Sequence, residues 1–227
     1  MGKMDKKPFE IQLGRDSRAF GTLHADLIGP MNPEARWSHA KYSLVIHDEC
    51  SSFGFIFNLM HKDHTGKVII SLDKVIENKF QKQVHTLRTD NGSEFINSEL
   101  QNYCQDRGIT STMSVAYNPE LNGHAERRNR TLVEGARTML KDSDLGKDLW
   151  GEALLTHIYI RNRCPSSTLH GNLTPYEKVF GHAPSINTCK YSDPNASSKS
   201  LMELGQNGMT KQWNVISSVT KGTPYMW

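Results

Sequence analysis

Several things are scarce in this sequence, and each scarcity excludes something. Only four of its 227 residues are cysteine, at positions 50, 104, 164 and 189, and none forms a C-x-x-C pair. Thiols so widely spaced exclude a disulfide-stapled miniprotein and a cysteine-built zinc knuckle, and they fit reduced thiols in an intracellular protein. No apolar run approaches the roughly 20 residues that cross a bilayer. The opening MGKMDKKPFEIQLGRDSRAF is charged and lacks the apolar stretch of a secretory signal. With 17 Gly, 9 Pro and no internal repeat, the chain is neither collagen-like nor a solenoid. What is present is ordinary: 37% hydrophobic and 22% charged residues, enough for one domain with a sizeable core.

The excess of positive charge is small, +3 overall, but unevenly placed. Residues 124–141 carry five basic groups (Arg127, Arg128, Arg130, Arg137, Lys141) against two acids (Glu126, Glu134), an excess equal to that of the whole chain. Residues 1–19 are also net basic. A basic stretch on a near-neutral protein suits a polyanion-binding face, and a solvated helix surface has the same composition. His61 and His64 have H-x-x-H spacing, but no cysteine pair lies nearby to complete a zinc site, so a polar loop is expected there.

Residues 1–19 are polar and expected to form an arm. Strands are expected at 21–28, 42–47 and 53–59, the last two forming a hairpin. Apolar residues at 68, 69, 72, 75, 76 and 80 follow a helical period over 67–82. A short strand at 84–89 stops at Asp90-Asn91-Gly92. Ser93 is the expected N-cap of a helix with Ile96, Leu100, Tyr103 and Cys104 on one face, closed by Gly108. A strand at 109–115, a turn-rich 116–123, and helices from about 122 to 141 and 147 to 163 follow. Mixed strands and helices of these lengths predict an α/β layer structure, the first three strands antiparallel and the later ones parallel to the first. Beyond about residue 185 no period is visible, and 186–227 are expected to be a poorly ordered tail.

Three acids stand out by context. Asp26 interrupts the apolar segment Leu23–Ile28, where a carboxylate is costly to bury without compensation. Asp90 sits where a strand ends and a glycine turn begins, the usual place for functional groups in open α/β sheets. On a helical wheel Ala125, Leu132, Ala136, Met139 and Leu140 form one stripe. Glu126 falls at its edge, with Arg130 and Arg137 just beyond. Glu126 could equally pair with Arg130 at i,i+4, worth a few tenths of a kcal/mol. Three converging carboxylates would make a hard oxygen site for Mg²⁺ or Mn²⁺, and two such ions can serve an in-line phosphoryl transfer. Asp48, Asp63, Asp73, Glu94, Asp106 and Glu120 are also present, so spacing has to choose.

Thirty-five residues separate Asp90 from Glu126, and Asp26 precedes Asp90 by 64 positions. The spacing resembles the D,D-35-E triad of retroviral and retrotransposon integrases. So do the local words HADLIGPM (24–31), LRTDNGSEF (87–95), YNPELNGHAERRNRTL (117–132) and LTPYEKVFGHAPS (173–185), the last similar to copia-type elements. The resemblance covers about residues 20–185. It implies an RNase H-like α/β fold, a mixed five-stranded sheet flanked by helices, and a nuclear enzyme that trims element DNA ends and joins them to host target DNA. It implies Asp26, Asp90 and Glu126 as catalytic metal ligands for Mg²⁺ or Mn²⁺, two ions with substrate bound, and no zinc. Asn122 and Gly123 would lie in a mobile DNA-contacting loop, and Arg127, Arg130, Arg137 and Lys141 would track phosphates. Asn91 and Gly92 would shape the turn after Asp90. The active form would be a homo-oligomer, with no membrane partner.

There are departures from the family pattern. Ala116 stands where Pro is usual, His124 where a small apolar residue is common, and His47-Asp48 where the hairpin turn usually has an acidic pair. The family's His/Cys zinc module is not recognisable before residue 20. A degenerate or domesticated copy that binds nucleic acid without integrating it is therefore the rival reading, and a simple RNase H-like nuclease the third.

Overall fold

The computed structural model describes residues 17–90, 92–113 and 119–185, with side chains in the last segment from Arg127 onward. Strands β1 (Thr22–Ile28), β2 (Tyr42–Asp48) and β3 (Gly54–Leu59) form an antiparallel meander. Helix α1 (Thr65–Phe80) leads to β4 (Thr86–Thr89), and α2 (Ser98–Arg107) to β5 (Thr110–Met113). Helices α3 (Pro119–Asp142), α4 (Trp150–Arg163) and α5 (Pro175–Phe180) follow. The five strands make one sheet in the order β3-β2-β1-β4-β5, with β4 parallel to β1 and β5 parallel to β4. The expected mixed sheet and its strand directions are therefore observed.

Alternation along each strand builds two cores, one on each face. Leu23 and Ala25 of β1, Leu44 and Ile46 of β2 and Leu87 of β4 bury against Ile69, Leu72 and Ile76 of α1 and Leu100 and Cys104 of α2. Val45 and Ile56 turn the other way, against Leu132, Ala136 and Leu140 of α3 and Ala153, Leu154 and Ile158 of α4. The α3 stripe is the one the helical wheel marks. By the same period of two, His24 and Asp26 of β1 and Arg88 of β4 face the α3 side.

Two expectations move. The helix expected from Ser93 begins at Ser98: the Asn97 carboxamide accepts from the Leu100 N–H at 2.7 Å, and Gly108 closes the helix in the left-handed region at φ 66°. Ile96 is 50% exposed instead of lying on the buried face, while Phe95 fills the core. Helix α3 starts at Pro119, so Asn122 and Gly123 fall inside a helix and not in the expected loop. Their side chains lie outside the described residues, as do Asn91, the expected tail from residue 186 onward and most of the arm.

Gly54 marks a close approach between the sheet and α4. A Cβ there would lie 2.4 Å from Ile158 Cδ1 and 3.0 Å from His47 Nδ1, and the Asn162 carboxamide bridges the Gly54 N–H and carbonyl at 2.9 and 2.8 Å. Gly54→Ala is expected to destabilise the fold by about 1–3 kcal/mol through overpacking. A urea midpoint equal to wild type would contradict this contact.

Candidate active site

The last register pair of β1 with β4 is Ala25 with Thr89. The next residues on the two strands are Asp26 and Asp90, so parallel pairing brings the two carboxylates side by side at the C-terminal end of the sheet. Period-two alternation sends both to the α3 side. Asp26 is half-buried and hydrogen-bonded to the Asn129 side chain, whose Nδ2 donates to Oδ2. Asp90 is exposed and closes its own turn, its Oδ1 accepting from the Gly92 N–H at 3.0 Å.

Electrostatics tie these groups together. Burial pushes the Asp26 carboxyl up to about 6, and the Asp90 carboxylate adds to the rise. The Leu27 N–H and the Asn129 amide oppose it, and Glu94 raises it further. Glu94 folds back over Gly92: a Cβ at 92 would sit 2.5 Å from Glu94 Oε1, so a larger residue there would push the Glu94 carboxylate aside. A carboxyl raised by burial and by a neighbouring carboxylate is the arrangement a divalent cation relieves, and the oxygen donors of the pair suit Mg²⁺ or Mn²⁺. Among the described residues no group of three or more His, Cys, Asp or Glu could hold a metal ion. Glu126 lies on α3, but its side chain is outside the described residues, so the third carboxylate of the expected site is not placed.

Asn129 and Glu94 are what the sequence reading missed. Asn129 stands three positions after Glu126, one helical turn on, a spacing that puts both on the same side of α3. Glu94 was visible only as one acid among many. Of the four expected phosphate contacts, Arg127, Arg130, Arg137 and Lys141 are all exposed on α3.

Removing the Asn129 amide takes away a hydrogen bond that favours ionised Asp26. Asn129→Ala is therefore expected to raise the Asp26 carboxyl above its value of about 6. Carboxyl-carbon NMR titration of wild type and variant checks this, and an unchanged or lowered value would contradict the contact.

Residues 16–119 match the integrase core domain family. The chain is 34% identical over 168 residues to the retrovirus-related Pol polyprotein from transposon TNT 1-94 of Nicotiana tabacum, a match covering 74% of this chain and 13% of that polyprotein. This chain carries a retrotransposon integrase core. The integrase core is also 28% identical over 184 residues to the corresponding polyprotein from transposon RE1 of Arabidopsis thaliana, covering 81% of this chain and 12% of that one. The transposon Ty1-NL2 Gag-Pol polyprotein of Saccharomyces cerevisiae is 32% identical over 149 residues, covering 65% and 8%. The chain thus spans 13% or less of the length of these relatives. Among solved structures, a chain of the simian T-cell lymphotropic virus intasome in complex with PP2A regulatory subunit B56 gamma superposes with a TM-score of 0.57 at 21% identity. That likeness covers 77% of this chain and 59% of the other and shows the fold, which is RNase H-like.

Proposed function

We propose that this integrase core is a metal-dependent polynucleotidyl transferase that processes the 3′ ends of element DNA and joins them to target DNA in the nucleus. The observation that carries the reading is the juxtaposition of Asp26 and Asp90 on neighbouring parallel strands, with burial and mutual repulsion raising Asp26. Asp26, Asp90 and Glu126 are the proposed ligands of Mg²⁺ or Mn²⁺. Bound there, such ions would polarise a phosphoryl oxygen and favour ionisation of the attacking hydroxyl. The chain's own part is to hold donors in place. Asn129 fixes the Asp26 carboxylate by its amide, and the Gly92 N–H fixes that of Asp90. Exposed Arg127, Arg130, Arg137 and Lys141 run along α3, on the sheet face that Asp26 and Asp90 share, and are proposed to bind DNA phosphates without regard to sequence.

The testing experiment is a strand-transfer assay with a short donor duplex and Mn²⁺, wild type beside Glu126→Gln. Joining by wild type and none by the variant supports the reading; equal joining by both removes Glu126 from it. Replacing Arg130 and Arg137 by Ala is expected to weaken binding to all DNA sequences alike and to flatten the salt dependence by up to about two units. Anisotropy titrations at several salt concentrations measure this, and an unchanged slope would take these two side chains off the DNA path.

A further inference from the structure

At the end of the sheet opposite the two carboxylates, a recess of about 620 Å³ opens between the segment entering β1, the C-terminal end of α1 and helix α5. The five steps of strand from Gly21 to Asp26, at about 3.3 Å each, put it roughly 16 Å from the acidic pair. Its walls include Arg18, Lys82 and Lys178, with His85, Gln83 and Glu77. Three cations from three separate stretches of chain thus meet in one recess of a protein whose whole excess is +3. The one acid of its described lining is already engaged, since Arg107 Nη2 donates to Glu77 at 2.7 Å. Among the described residues neither Lys82 nor Lys178 has a carboxylate within ion-pairing distance, although both side chains are exposed.

A recess of this size suits a small polyanion or a stretch of polymer backbone. Among the described residues its lining has no Phe, Tyr or Trp on which a base could stack and no aliphatic side chain larger than Ala19, so these offer little to an apolar ligand. Lysine and arginine from separated segments instead match a chain of phosphates. We infer that this recess is a phosphate-binding site, separate from the acidic pair, that takes consecutive phosphates of a polyanion without reading bases. The phosphates can come from a nucleic-acid backbone or from free polyphosphate, and the two sources separate in the test.

The test uses the whole 227-residue chain. Tripolyphosphate is titrated calorimetrically into wild type, Lys82→Ala/Lys178→Ala, and Lys67→Ala as a control on an exposed lysine at the other end of α1. Wild type and control are expected to bind alike and the double variant about tenfold or more weakly, as two charge-assisted contacts are lost. Both lysines are exposed, so thermal midpoints should stay the same and separate lost binding from lost folding. In a parallel arm, a short duplex is titrated over a range of salt. A slope flattened by up to about two units in the double variant identifies nucleic acid as the source, and an unchanged slope with lost tripolyphosphate binding identifies free polyphosphate. Equal tripolyphosphate affinity in wild type and double variant would overturn the inference. So would poly-glutamate binding as tightly as tripolyphosphate, which would make the recess a site for acidic peptide. Strand transfer enters neither arm, so failure of the catalytic reading leaves this outcome readable on its own.

Discussion

Asp90→Asn is expected to reduce metal-dependent strand cleavage and joining by about a thousandfold or more while leaving DNA affinity within a few-fold of wild type. The size follows from what the side chain is proposed to do. A carboxylate that holds a catalytic divalent ion supports several kcal/mol of transition-state stabilisation, and each 1.36 kcal/mol is a factor of ten in rate. Asn keeps the shape and can still accept the Gly92 N–H that closes the turn, so the loop from Asp90 to Glu94 should survive. DNA affinity should persist because the proposed phosphate contacts are on α3 and not in this loop. Removing one of two neighbouring acids also lowers the repulsion that raises Asp26. The Asp26 carboxyl should therefore titrate lower in Asp90→Asn than in wild type, a readout independent of activity. If metal-dependent joining survives in the variant, the assignment of Asp90 fails. If wild type binds DNA but joins nothing with any divalent ion, the non-catalytic reading gains.

What could be read from the sequence was whatever local patterning decides. Apolar segments bounded by Gly29-Pro30 and by the polar 48–52 turn marked β1 to β3, and the apolar stripe of α3 was visible because a helix that packs on a sheet must repeat its apolar residues every 3.6 positions. Competition between equal local signals was not legible. Ser93 and Asn97 are both good caps four residues apart; the helix takes Asn97, which leaves Phe95, ahead of the helix, buried in the core at 3% exposure. Tertiary meetings were not legible either. Nothing within α3 says that the Asn129 amide will meet a strand more than 100 residues earlier. The hairpin was legible as a hairpin, but not the division of labour within it. Asp48 holds the turn, accepting from the N–H groups of Phe20 and Ser51 at 2.9 and 2.8 Å. His47 is not a turn residue at all; it is the penultimate residue of β2 and points into the core beneath α4.

That position makes His47 the residue expected to limit stability in acid. It is 6% exposed, and its Nε2 has no hydrogen-bond partner among the described residues. It pairs in register with His24 on β1 and Gly54 on β3 and packs near Ile158 of α4. Burial, with Arg128, Arg161 and His24 adding repulsion, holds its imidazole down to about 3. An unfolded histidine titrates near 6.5. Between those values the unfolded chain takes up a proton that the folded protein refuses, so stability rises with pH through this window. His47 therefore costs nothing above about pH 7, and its penalty grows as pH falls from about 6.5 toward 3, reaching a few kcal/mol. The raised carboxyls of Asp26, Asp48 and Glu152 act in the opposite sense, because the folded protein binds their protons first. Comparison with a variant cancels them. His47→Leu keeps a buried side chain of similar bulk and cannot titrate, and it removes a polar nitrogen with no partner. Its urea midpoint should fall less steeply than that of wild type between pH 7 and pH 4.5, the gap widening by about 1.4 kcal/mol for each unit below 6.5. Parallel acid limbs in the two proteins would mean that the folded core admits a charged ring at position 47.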